Sequence, residues 1–125
     1  MTRLPIEVFI VVRRGEEYLV VHRVPEAGAY WHGIAGGVEE GESPEEAAAR
    51  ELWEETGLEA VPTPLPTSFV YSEITVHTFL IDVPEGWEPE LNEEHDEYVW
   101  LPQDEAVERL HWPEPKELLR TISGT

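Results

Sequence analysis

The 125-residue chain contains no cysteine. That absence excludes disulfides, thiol nucleophiles and cysteine metal sites together, and it leaves the redox compartment unmarked. Basic residues are also scarce: 8 Lys and Arg stand against 27 Asp and Glu, a formal net charge of −19. Such a surface repels nucleic-acid backbones and anionic membranes, so neither is expected as a partner. Long hydrophobic runs are missing as well. The apolar stretches are strand-sized and the N-terminus has no leader-like core, so a cytoplasmic protein is expected. Asn92 is the one asparagine and Gln103 the one glutamine, against 11 prolines. Few thermolabile residues and proline-rich loops suit a heat-adapted source.

What remains has globular proportions, 41% hydrophobic and 28% charged. A chain of this length can bury a core without staples. Most of its acid is explained by solubility. An anionic phosphate ligand would still need a cation between itself and such a surface, so clusters of carboxylates call for inspection as metal sites.

Residues 6–12 are β-branched and apolar and predict a largely buried strand. Gly15 marks a turn, and Tyr18 to Val24 makes a second strand, giving a hairpin. The segment from Pro25 to Gly33 reads as a loop, and Ile34 to Val38 as a short extended piece whose glycines admit a close ligand. Ser43, Pro44 and Glu46 form a capping-box start and Gly57 a stop, predicting a helix over 44–56. Residues 61–66 hold three prolines and must be loop or edge. Phe69 to Val83 gives one or two strands with a break at Ser72-Glu73, and 84–97 is an acidic loop. Tyr98 to Leu101 closes the strands, followed by short helices at about 103–110 and 114–122. This order predicts an α/β fold with a mixed sheet covered on both faces.

Glu51, Glu54 and Glu55 fall at i, i+3 and i+4, on one helical face. Like charges at that spacing destabilise a bare helix. In so acidic a chain they could be a solvated face, or a divalent cation could offset them. Oxygen-only ligands favour Mg²⁺, with Mn²⁺ as substitute, over zinc.

From Gly36 the chain reads GGVEEGESPEEAAARELWEETGL. Gly36, Glu42, Arg50, Glu51, Leu52, Glu54, Glu55, Gly57 and Leu58 match every specified position of the Nudix box: glycine, five residues, glutamate, seven residues, then Arg-Glu-apolar-any-Glu-Glu-any-Gly-apolar. Chance agreement per window is about one in ten million on residue frequencies. The chain resembles the Nudix hydrolases, and the resemblance implies a Nudix-type α/β/α sandwich with residues 1–125 as a single Nudix hydrolase domain. It implies that Glu51, Glu54 and Glu55 hold Mg²⁺ with the backbone carbonyl of Ala35, and that Arg50 pairs with Glu42 to hold the glutamate face. By the same resemblance Gly36 and Gly37 let backbone pass close to helix and substrate, and Glu51 is a candidate base for the attacking water. Catalytic roles thus fall on Arg50, Glu51, Glu54 and Glu55.

Glu94-His95-Asp96-Glu97-Tyr98-Val99-Trp100-Leu101, Trp112 and Trp31 resemble the dihydroneopterin triphosphate and dATP pyrophosphatase branch. That likeness makes Glu94 a distal metal ligand, with Glu93 and Glu97 as rivals. Arg23 is a candidate for substrate phosphates, and Trp31 and Tyr71 for stacking on a base. None of the five histidines is assigned to catalysis. The expected reaction is Mg²⁺-dependent hydrolysis of a phosphoanhydride bond in a (d)NTP or dihydroneopterin triphosphate, giving monophosphate and pyrophosphate. Alternatives are a diadenosine polyphosphate or ADP-ribose hydrolase, or a non-catalytic nucleotide-binding module. The partner is a small-molecule nucleotide, and the chain could act as monomer or homodimer.

Overall fold

The computed structural model describes residues 3–122. Strand β1 (Arg3–Arg14) turns into β2 (Glu17–Arg23), and after a single 3-10 turn at Pro25–Ala27 come the two-residue β3 (Trp31–His32) and β4 (Ile34–Glu39). Helix α1 (Pro44–Thr56) is followed by β5 (Thr63–Tyr71), β6 (Ile74–Asp82), β7 (His95–Pro102), α2 (Gln103–Arg109) and α3 (Pro113–Thr121). None of these helices is long and apolar enough to cross a membrane.

The seven strands form one mixed sheet in the order β3-β2-β1-β6-β5, with β4 pairing β1 and β7 pairing β2. The β1–β6 pairing is parallel and the others are antiparallel. The sheet forks at β1, which pairs β4 over Glu7–Ile10 and β2 only at Arg13 and Arg14.

Strand alternation divides the core into two layers. Val8, Ile10 and Val12 pack with Ala47, Ala48 and Leu52 of α1 and with Phe79. Phe9 and Val11 point the other way, against Ala106, Val107, Leu110, Leu118 and Leu119 of the α2–α3 layer. The run of apolar residues in β1 thus reflects burial on both faces, and the result is the expected α/β/α sandwich.

The α1 cap is built as expected: the Ser43 hydroxyl accepts from the Glu46 amide at 3.1 Å, the Glu46 carboxylate accepts from the Ser43 amide at 2.8 Å, and Gly57 closes the helix at φ 79°. The proline segment proves to be part of edge strand β5, whose register with β6 breaks between Pro64 and Ser68. Ser72 and Glu73, both at positive φ, make the tight β5–β6 turn. Two expectations need correction. Trp31–His32 is a strand, not loop, held by pairing to β2; and β7 begins at His95, three residues before the expected Tyr98, because the β2 edge recruits an acidic stretch of low strand propensity.

Candidate active site

Helix α1 presents its acid face to β4. Glu51 is 8% exposed and Glu55 1%, whereas Glu54 lies outside the buried strip. The solvated-face reading fails on those numbers, because solvated glutamates do not sit under a sheet. Gly36 explains how they fit: a Cβ there would overlap the Glu51 carboxylate. Small Ala47 and Ala48, both fully buried, bring the helix that close.

Arg50 ties the face together. Its Nε and Nη2 donate to Glu42 Oε2 and Oε1 at 2.7 and 2.9 Å, and Nη2 also donates to the Gly37 carbonyl at 3.0 Å. Its Nη1 lies 3.3 Å from Glu51 and 3.4 Å from Glu54. The guanidinium holds the Glu42 carboxyl below the ordinary carboxylate range. It does not neutralise the buried pair. Burial, with Glu54 and Glu94 adding against the opposing pull of Arg50, pushes Glu51 up to about 8. Burial, then the charges of Glu51 and Glu94, pushes Glu55 up to about 9, although the Ala35 amide donates to it. Glu55 Oε1 is buried with no hydrogen-bond partner.

Glu51, Glu54 and Arg50 open into a cleft of about 420 Å³ lined also by Arg23, Ala35, Gly36, Gly37 and Glu94, with Glu7, Tyr30, His32, Glu39 and Tyr71. The segment at the start of β7 brings Glu94 in, as Val24 N–H donates to the Glu94 carbonyl at 3.0 Å and the Asn92 side chain accepts from the Glu94 amide at 3.1 Å. Arg23 is steadied by its Nε donating to the Ala27 carbonyl at 3.1 Å, and its charge opposes the pKa rise of Glu55. Beside the cleft lies a mainly apolar recess of about 340 Å³, walled by Phe9, Phe69, Val76, Trp112 and Pro115 and sharing Glu7, Tyr30, His32, Ala35 and Tyr71 with it.

The structure therefore gathers Arg23, Ala35, Gly36, Gly37, Arg50, Glu51, Glu54 and Glu94 around the cleft, whereas Glu55, 1% exposed, lies beneath and is not among its lining residues. Trp31 lies elsewhere. It packs against the α2–α3 layer, with Arg109 4.9 Å over its ring and the His22 ring at its side. Sequence reasoning missed Glu7, Tyr30 and His32. A signal was available for Glu7, a carboxylate inside an otherwise apolar strand. Away from the cleft lining, His22, Asp96 and Glu97 bring potential ligand atoms within 4.8 Å of one another. The 2.8 Å hydrogen bond between His22 Nδ1 and Asp96 Oδ1 accounts for part of that grouping.

The NUDIX domain profile matches residues 3–122. The chain belongs to the Nudix family. It is 35% identical over 129 aligned positions to an octanoyltransferase of Myxococcus xanthus, covering 95% of this chain and 36% of that protein. It is 34% identical over 100 positions to an 8-oxo-(d)GTP phosphatase of Mycolicibacterium smegmatis, covering 72% of this chain and 29% of that one. The chain thus spans about a third of the length of these curated relatives. In three dimensions this Nudix chain is similar to the E. coli dihydroneopterin triphosphate pyrophosphohydrolase, with a TM-score of 0.84 at 19% identity over 98% of this chain and 97% of that one. That likeness is one of fold.

Proposed function

We propose that this Nudix chain, acting as one unit, is a divalent-metal-dependent pyrophosphohydrolase of nucleoside-diphosphate-linked substrates. Its favoured substrates are a (d)NTP or dihydroneopterin triphosphate, cut to monophosphate and pyrophosphate. The observation that carries the reading is the buried pair Glu51 and Glu55, 8% and 1% exposed, on the helix face whose Glu51 lines the acidic cleft. Buried carboxylates are retained where a cation or a proton compensates them. The donor set is all oxygen, and the unpartnered Glu55 Oε1 fits a site for a hard cation such as Mg²⁺.

Glu51, Glu54, Glu55 and Glu94, with the Ala35 carbonyl, would hold that ion. When bound, it would polarise the phosphoryl group, offset charge on the leaving pyrophosphate and acidify the attacking water. The protein's own groups do the rest. Arg23, at the cleft wall, binds phosphate oxygens. Arg50 keeps the acid face in register through Glu42 and the Gly37 carbonyl. A Glu51 carboxylate oxygen takes the proton from the attacking water. The neighbouring recess, with aromatic walls, takes the ring of the substrate and leaves its phosphates in the acidic cleft. The relative that acts as an 8-oxo-(d)GTP phosphatase supports a triphosphate over a dinucleoside polyphosphate or ADP-ribose.

The test is release of phosphate or pyrophosphate from nucleoside triphosphates, dihydroneopterin triphosphate, ADP-ribose and diadenosine polyphosphates. Turnover of a triphosphate, abolished by EDTA, is expected. Binding without turnover of any of these compounds would make the chain a nucleotide-binding module instead.

A further inference from the structure

His95 is a deeply buried titratable side chain that the chemistry above leaves unused. Its side chain has no exposure, and both ring nitrogens lack a hydrogen-bond partner. Two orphaned nitrogens on one buried ring are costly, and each such group in a folded protein calls for a cause. The ring does not sit in a random gap. Its Nε2 lies 3.9 Å from Glu55 Oε1, itself a buried oxygen with no partner. The two orphans face each other. The distance is about 1 Å beyond a hydrogen bond, small enough for a modest turn of the Glu55 carboxylate to close.

The backbone puts His95 there by construction. The β2–β7 register shifts between His22 and Arg23, so that Asp96 is the extra residue between the pairs His22–Glu97 and Arg23–His95. Such a bulge re-aims the neighbouring side chains. The His95 amide donates to the Asn92 carbonyl at 3.3 Å and the Glu94 carbonyl accepts from Val24, fixing the two residues before the bulge. Glu94 then lines the cleft while His95 stands behind Glu55. Adjacent residues therefore address the acid face from two sides. The Ala35 amide already serves the Glu55 carboxyl from β4, and His95 faces the oxygen that still lacks a donor.

We propose that His95 is a positioning residue: its Nε2–H donates to Glu55 Oε1 when that carboxylate turns toward a bound cation, fixing the orientation in which Glu55 serves the metal. This rests on the reading of α1 as a metal face. Outer hydrogen bonds of this kind orient ligands and alter metal affinity by about 10–100-fold. Gln is the conservative replacement, since its amide nitrogen can reach the place of His Nε2. Leu keeps similar bulk and removes the donor.

The experiment compares wild type, His95→Gln, His95→Leu and Glu55→Gln in Mn²⁺ affinity by electron paramagnetic resonance, melting temperature, and kcat and KM. A ¹⁵N–¹H correlation spectrum of the wild-type histidine rings is added. Expected are a proton on His95 Nε2 whose resonance moves on adding Mg²⁺, Mn²⁺ affinity about tenfold weaker in His95→Leu, a lower kcat with KM within about twofold, and recovery of most of both losses in His95→Gln. A folded His95→Leu that binds Mn²⁺ as the wild type does would overturn the proposal, as would His95→Gln behaving like His95→Leu. If His95→Leu does not fold, a wild-type His95 with Nε2 unprotonated overturns it. Wild type with no Mn²⁺ affinity would instead sink the metal-face reading, and this one with it.

Discussion

Arg50 and Glu42 meet in a two-pronged ion pair, 2.7 and 2.9 Å long, although seven residues, the helix cap among them, separate them. The pair locks the approach to α1 against the helix body, and the same guanidinium reaches the Gly37 carbonyl in β4. A lysine could supply the charge but not the fork. Arg50→Lys is expected to lower kcat about tenfold and the melting temperature by about 4 °C, from about 1 kcal/mol lost by a partly exposed pair. Thermal melts and steady-state kinetics check both, and an unchanged kcat would leave Arg50 a purely structural role.

Glu55→Gln preserves shape and removes the charge. It should reduce turnover at least about a hundredfold, the range for a lost acid–base or metal group, with the circular dichroism spectrum unchanged. Near-normal turnover would move the site away from this face.

The metal-free protein should lose stability as pH rises. Glu51 and Glu55 sit near 8 and near 9 in the folded chain against an ordinary value of 4.5. A carboxyl raised in this way stabilises the fold fully below its unfolded value and loses that contribution as pH climbs through its folded one. In EDTA, urea midpoints should therefore fall between about pH 4.5 and 9, and Mg²⁺ should reverse the fall at the upper end. Glu55→Gln, neutral in both states, should show a shallower slope than wild type. Parallel slopes would contradict burial of an unpaired Glu55.

Gly36→Ala places a methyl where the Glu51 carboxylate lies. Backbone torsion does not forbid the change, so the fold should persist while Glu51 is displaced and kcat falls by about tenfold or more. A crystal structure with Glu51 unmoved and full activity would refute the cradle.

Leu52→Ala tests the packing under the site. Leu52 has no exposure and sits in the α1 layer of the core, so about 3 kcal/mol and roughly 10 °C should be lost.

Much of this was legible in the residues. Ser43, Pro44, Glu46 and Gly57 announce both ends of α1 because capping chemistry is local. The resemblance to the Nudix box singles out its glutamates. Spacing could not say that Glu51 and Glu55 would be buried and Glu54 not, since that depends on how closely β4 lets the helix approach. Trp31, a candidate for stacking on a base, is turned toward the α2–α3 layer by its strand pairing with His22. His95 was illegible for a similar reason: its inward turn comes from a register shift, and a shift is a property of two strands.

The fork in the sheet has a bearing on how ligands arrive. Strand β1 exchanges one neighbour for another partway along its length, and the walls of the recess come largely from β1 and from β4, β5 and β6, bonded to it or to each other, closed by Trp112 and Pro115. Its hollow is shaped by main-chain ladders before any guest enters. Little ordering entropy should be charged to association, so complex formation ought to follow simple one-step kinetics, with a small heat-capacity change beyond that of the buried ring itself.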